Sequence, residues 1–292
     1  MRPDTLLMYN WDRFFNNKKA HIEEYTFEKE EIPMKISYIP KRRYWKKKES
    51  CPLDKIDEDE VLTDHDYTGE FSYVVNRYPI CRYSVLLVYN QHVHEKEKRK
   101  DKEHIKKVME LSELTGTTFA HNMENCGASI PEHEHFQGVI DCVPVMEMGR
   151  EIGSYSRPSK QLTYFHEPGK TLIDNTVSVQ YEIPWEHAIF RGEKALDFYL
   201  EAIDFIEDEI PIYTPIFTDD EIHLIPRSNW RTKEGKSMGA LEFCGMTNFT
   251  SKDEYEKAKT GYRSLIQMRM ETAFPRGSTK LQAFLQKIYN LG

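Results

Sequence analysis

Apolar and polar positions alternate or cluster in short runs, and most runs read as strands. Phe71 to Val75 and Ser84 to Tyr89 are rich in Val, Leu and Tyr, with the turn-forming Asn76-Arg77-Tyr78-Pro79 between them. Ile105, Val108, Met109 and Leu111 follow a helical spacing that predicts a helix over Asp101 to Leu114, with Gly116 as its stop. Thr117 to Met123 and Phe136 to Val145 follow as strands. Residues 146–176 read as loop, and Val177 to Ile183 alternates as a strand. Leu196, Tyr199, Leu200 and Ile203 mark a second helix, followed by strands at Ile212 to Phe217 and Glu221 to Ile225. Two terminal helices are expected around 252–272 and 278–289, the last with Leu281, Phe284, Leu285 and Ile288 on one stripe. The first fifty residues carry Trp11, Phe14, Phe15, Tyr44 and Trp45 and read as a wrapping arm with short strands, such as Met34 to Tyr38. Cys51 to Asp66 reads as an acidic loop.

The order of parts suggests a degenerate duplication. Tyr78-Pro79-Ile80, Leu86-Leu87-Val88 and Gly127-Ala128 are echoed by Tyr213-Thr214-Pro215-Ile216, Leu224-Ile225-Pro226 and Gly239-Ala240, with the helix earlier in the second set. The expected organisation is an arm and loop over 1–69, one half over 70–176 and a second over 177–292.

At 292 residues the chain has material for one large domain or two ordinary ones. A formal net charge of −8 argues against a nucleic-acid polymer as partner, and the clusters Lys41-Arg42-Arg43 and Lys46-Lys47-Lys48 read as solvated faces. Five scattered cysteines fit a reducing compartment better than a disulfide framework. No secretory leader and no run of ~20 apolar residues stands out, so a soluble cytoplasmic protein is expected, without membrane contact.

The chemistry concentrates in residues 125–140. His133, His135 and Gln137 occupy alternate positions after Gly127, Ala128 and Ser129. On an extended strand they would share one face, two imidazoles and an amide turned into one volume. One reading makes an imidazole a nucleophile towards phosphorus. Gln137 and Ser129 would then hold the phosphate, with backbone N–H groups near Gly127 and Ala128. A second reading is a cupin-like metal site, which lacks a following glutamate and the second cupin motif. A third is a non-catalytic nucleotide-binding or partner-binding remnant.

Gly127-Ala128-Ser129 with His133-Glu134-His135-Phe136-Gln137 resembles the His-x-His-x-Gln signature of the transferase branch of the histidine-triad (HIT) superfamily. Asn76-Arg77-Tyr78-Pro79-Ile80 with its following strand resembles the same branch. So do Ile222-His223-Leu224-Ile225-Pro226-Arg227-Ser228 and Gly239-Ala240-Leu241-Glu242-Phe243-Cys244-Gly245. The resemblance implies an α+β fold of two HIT-like halves, each an antiparallel sheet with packed helices. It implies nucleotidyl transfer or phosphorolysis on a nucleotide sugar or dinucleoside polyphosphate, with a phosphate-type acceptor. His135 becomes the nucleophile, His133 its companion and Gln137 the phosphate ligand. Asn76, Arg77, Asn122, Gly127, Ala128, Ser129 and Arg227 become candidates for nucleotide or phosphate contact. The chemistry requires no cofactor. The branch's Cys-x-x-Cys metal site has Cys51-Pro52-Leu53-Asp54 in its place, which with His92 and His133 forms the set for a structural zinc. The motif is one residue longer before His133 than the pattern. Glu132 and Glu134 flank the histidines, either facing away or raising the imidazole pKa. Two halves in one chain would allow a monomer or a homodimer.

Overall fold

The computed structural model describes residues 2–17, 21–40, 51–54, 56–63, 69–140, 143–144, 176–179, 183–210, 212–275, 281 and 283. The Lys41–Arg43 and Lys46–Lys48 clusters, Tyr44, Trp45, Cys142, nearly all of the 146–176 loop and most of the 278–289 segment lie outside the described residues.

The pairing of strands shows the architecture. β3 (Phe71–Val75), β4 (Ser84–Tyr89), β5 (Thr118–Ala120) and β6 (His135–Val139) join β7 (Thr176–Val179), β8 (Ala188–Arg191), β9 (Tyr213–Phe217) and β10 (Glu221–Pro226). They form one eight-stranded sheet, ordered β3-β4-β6-β5-β9-β10-β8-β7, with every neighbour antiparallel. The order reads the same from both edges, and the two sets meet where Phe119 on β5 faces Phe217 on β9. The unit β3-β4-helix-β5-β6 recurs as β7-β8-helix-β9-β10, so the duplication has its helix in the same place in both copies. The alignment inferred from the turns slipped because it matched the β3–β4 hairpin to the β9–β10 hairpin, whereas its spatial counterpart is β7–β8.

The repeated helices are α3 (Lys102–Thr115) and α4 (Ala195–Ile206). Asp101 caps α3 by accepting from the His104 N–H at 3.2 Å, and Gly116 ends it at φ +61°, a conformation glycine adopts without a steric penalty. Ile105, Val108 and Leu111 of α3 and Leu196, Tyr199 and Ile203 of α4 pack onto one face of the sheet. The N-terminal segment departs from expectation. It is a helix, α1 (Pro3–Asn17), whose Leu7, Trp11, Phe14 and Phe15 join the same core. Their i, i+4, i+7, i+8 spacing is the helical signature that its aromatic composition hid.

The opposite face is covered by a second cluster that includes Ala120, Val139, Ile216, Ile225, Trp185, Met238, Ala240 and Leu241. Part of that cover is α5 (Ala240–Phe243). A smaller sheet pairs β1 (Glu23–Phe27) and β2 (Met34–Tyr38) antiparallel, with β11 (Met246–Phe249) parallel to β2. Against it lie α6 (Lys252–Ala258) and α7 (Tyr262–Met270), where one helix was expected over 252–272; Gly261 separates them. A short helix, α2 (Glu95–Lys98), precedes α3. Among the described residues no helix is long and apolar enough to cross a membrane.

The second half carries a buried polar chain on the sheet. His187 and His223 are fully buried and meet at 2.9 Å, and His223 Nε2–H donates to Glu221 at 2.9 Å. Arg191 donates to the other Glu221 oxygen. Burial, then the neighbouring His223, holds the His187 pKa well below the usual 6.5. An unfolded chain therefore takes up a proton there that the folded chain refuses. The stability is fully present above about 6.5 and is lost as pH falls below it, by about 1.4 kcal/mol per pH unit. Buried His121 shifts upward, so its own contribution is already complete below 6.5 and does not oppose this slope. Chemical denaturation from pH 7 to 5.5 should show the decline, and His187→Asn should reduce the slope, leaving the share of His135, whose pKa burial also lowers; an unchanged slope in the variant would assign it elsewhere.

Candidate functional site

The site forms where β6 begins. Alternation would place His133 and His135 side by side, but the strand starts at His135. Residues 130–133 form a turn closed by the His133 N–H on the Ile130 carbonyl at 3.3 Å. The two rings serve different neighbours, and no hydrogen bond or ring contact between them occurs among the described residues. The expectation of two imidazoles in one volume is thus corrected, and with it the cupin-like reading. The fold is an open sheet with helices on it, not a barrel.

His135 is 7% exposed and its Nδ1–H donates to the His133 carbonyl at 2.8 Å. A carbonyl only accepts, so the proton sits on Nδ1 and the lone pair on Nε2. Among the described residues Nε2 has no hydrogen-bond partner, yet it is not among the sealed, unpartnered polar atoms, so it retains access. Burial lowers the pKa of this ring, which is therefore neutral and nucleophilic near pH 7. Gln137 projects from the same strand face two residues on, beside Leu86 of β4 and Ala120 of β5, and is half-buried.

His133 turns to a different group. Its Nε2–H donates to the Tyr89 carbonyl at 2.8 Å, which leaves the Nδ1 lone pair facing Asp54 at 3.2 Å and Cys51 Sγ at 3.5 Å. His92 Nδ1 lies 2.6 Å from the same Asp54 oxygen. One donor atom from each of Cys51, Asp54, His92 and His133 lies within 4.8 Å of the others. A thiol, a carboxylate and two imidazoles aimed at one point, one with its tautomer fixed by a backbone carbonyl, make a donor set suited to zinc. Burial raises the Cys51 thiol pKa, and the His92 hydrogen bond lowers that of Asp54.

Glu134 faces the helix side of the sheet and is fully buried, while Glu132 is exposed. The Glu134 carboxylate accepts from His104 Nε2 of α3 at 3.2 Å and from His121 Nε2 after β5 at 3.0 Å. Burial alone would raise its pKa; the facing His121 and His104 outweigh that and bring it to about 2. The flanking negative charge thus lies beneath the strand and is met by two imidazoles. Sequence reading did not single out His104 and His121, and the one signal was an acid set between two histidines.

The loop before β6 is fastened to the second half. Gly127, at φ +100°, packs so closely on the 238–240 turn that a Cβ there would stand 2.9 Å from Gly239 Cα. Asn122 Oδ1 accepts from the Ala240 N–H at 2.7 Å, and the Ala128 N–H is turned to the Met123 carbonyl at 3.3 Å. Ser129 is exposed. Gly127 thus serves close packing between the halves, and the Ala128 N–H is spent inside its own turn.

Three other candidates have structural partners. The Asn76 amide bridges the Tyr78 N–H at 2.9 Å and Ser84 Oγ at 3.2 Å, forming the turn after β3. Arg77 pairs with Glu60 and Asp57. Arg227 is not a surface residue but 1% exposed. Its guanidinium donates to Thr214 Oγ1 and to the carbonyls of Thr272, Asn229 and Met238, over the Phe243 ring at 4.2 Å. It pins the turn that Gly127 packs against.

Residues 9–140 match the family described as a domain of unknown function, DUF4922, which includes the whole His-x-His-x-Gln motif. No curated protein matches the chain. Among solved structures, yeast Ap4A phosphorylase Apa2 in complex with AMP is similar at a TM-score of 0.68 and 14% identity, over 95% of this chain and 98% of that one. Its complex with Ap4A matches at 0.68 and 13%, over 95% and 99%. The structure without ligand matches at 0.68 and 15%, over 98% and 100%. At these identities the likeness is one of fold, and the fold is the one that the HIT-transferase resemblance implied.

Proposed function

We propose that the protein transfers a nucleotidyl group through a covalent nucleotidyl-histidine at His135. The reading is carried by the His135 ring, with Nδ1–H held by the His133 carbonyl and Nε2 accessible and without a hydrogen-bond partner among the described residues. The fold shared with yeast Ap4A phosphorylase supports a dinucleoside polyphosphate as first substrate class, with nucleotide sugars as the second.

The chemistry divides into two displacements. His135 Nε2 attacks the α-phosphorus; an N–P bond forms, the bridging P–O bond breaks, and the leaving oxygen takes its electron pair. The imidazolium that develops is stabilised by its Nδ1–H bond to the His133 carbonyl. Gln137 donates its amide to a phosphate oxygen, and the Ser129 hydroxyl and the Asn122 NH2 group are the further donors in this reading. A phosphate oxygen then attacks the same phosphorus, the N–P bond breaks and the ring returns to its neutral form. With Ap4A and phosphate the products are ATP and ADP.

Cys51, Asp54, His92 and His133 would hold one zinc ion, which ties the 51–54 loop to the turn before β6 and supplies structure rather than chemistry. Metal analysis should find about one zinc per chain when bound by such a set. Cys51→Ala and His92→Ala should lower both the zinc content and the melting temperature, while Cys81→Ala, a buried thiol outside the set, keeps the metal. Metal-free protein of unchanged stability would remove the zinc from the account.

The function is tested by incubating the protein with Ap4A and inorganic phosphate, with UDP- and GDP-sugars in parallel. ATP and ADP, or the corresponding sugar 1-phosphate and nucleoside diphosphate, are expected. No turnover of any of them would overturn the reading.

A further inference from the structure

The peptide between His133 and Glu134 does two things at once. Its C=O accepts the His135 Nδ1–H at 2.8 Å, and its N–H donates to the Val93 carbonyl at 2.9 Å. In a trans peptide these two groups point in opposite directions. The rotation of this one plane therefore decides whether His135 receives its hydrogen bond. The next peptide is held too, since the Glu134 carbonyl accepts from the Tyr89 N–H at 3.1 Å.

Those bonds fix the plane only if the residue between them cannot swing. Here the strand has not yet begun, because β6 opens at His135. Glu134 supplies the missing anchor. Its side chain passes to the opposite face of the sheet and is gripped there by His104 of α3 and His121 behind β5, at 3.2 and 3.0 Å. Phe136 packs beside both imidazoles, with centroids 6.0 Å from His104 and 4.8 Å from His121. A carboxylate clamped from two independent elements is harder to displace than an apolar side chain, since moving it strands three buried polar groups.

We infer that Glu134, held by His104 and His121, is a positioning residue: it sets the 133–134 peptide plane and so fixes the tautomer and direction of the His135 ring. The carboxylate touches no reacting atom and works from the far side of the sheet. Only the kinetic part of this inference rests on the nucleotidyl-transfer reading.

The test uses the full chain and two readouts. The first needs no substrate: ring 15N spectra report which nitrogen of His135 carries the proton. Wild type should show a single tautomer with the proton on Nδ1, and Glu134→Ala a mixture. The second is AMP transfer from Ap4A to the protein, followed by intact mass. Glu134→Ala should slow it by more than about tenfold, as small misplacements of a reacting group do, while the half-saturating Ap4A concentration stays unchanged. Glu134→Gln, which keeps the length and one acceptor, should restore most of the rate. If Glu134→Ala does not fold, His121→Phe decides, since losing one of the two donors should shift the tautomer and slow the transfer in the same direction, by less. A folded variant with the wild-type tautomer and rate overturns the inference. A wild type that never takes up AMP, beside a Glu134→Ala variant with a scrambled tautomer, would defeat the function and leave the positioning intact.

Discussion

His135→Ala should abolish both nucleotidyl uptake and phosphorolysis, lowering turnover of Ap4A by more than about 10³-fold, the scale expected when a nucleophile is removed. The fold should survive it. Among the described residues the ring makes one hydrogen bond, to a carbonyl beside it in the chain. A loss of about 1 kcal/mol in stability, typical of a single buried truncation, is expected. His133→Ala should behave differently. That ring holds Tyr89 and faces Cys51 and Asp54, so its loss should lower stability and zinc content as well as activity. Parallel denaturation and turnover measurements separate the two histidines. Equal losses in both would mean that they act as one unit, against the geometry.

Arg227→Leu should destabilise the protein by at least about 3 kcal/mol, because three carbonyls and a hydroxyl lose a donor that water cannot replace in that interior. A cation so deeply buried costs stability unless every donor is used, and here each guanidinium nitrogen has an acceptor. Burial accordingly lowers its pKa from the usual value. The damage should spread to the site through Met238, whose carbonyl Arg227 holds, and Gly239, on which Gly127 packs. Urea denaturation measures the first effect, and Ap4A half-saturation on whatever remains folded measures the second. A variant of wild-type stability would show that Arg227 is available for a ligand, as the sequence reading supposed.

That contrast shows what a sequence carries and what it does not. Strands β4, β9 and β10 and helices α3 and α4 were legible because their apolar periods are strong and their stops are ordinary. The helix at Pro3–Asn17 was hidden by aromatic crowding, though its spacing was helical. Arg227 reads as a phosphate contact in the sequence because polarity along the chain says nothing of what folds over it. The His133–His135 pair was legible as chemistry but not as geometry, since a turn ending at His133 cancels the alternation that a strand would impose. Cys51, Asp54 and His92 came together only through family resemblance; residues 38 positions apart in the chain, such as Asp54 and His92, leave no periodic trace. The Glu134 clamp was beyond reach for the same reason, because its partners stand 30 and 13 residues away.

Trapping the intermediate tests the nucleotidyl-histidine at His135 most directly. The protein is mixed with Ap4A in the absence of phosphate, quenched, digested under mildly alkaline conditions and mapped by mass spectrometry. One AMP per chain, carried on His135 and released as ADP when phosphate is added before the quench, is the predicted result. AMP on any other residue, or ATP released with no covalent adduct under conditions that turn over, would contradict it.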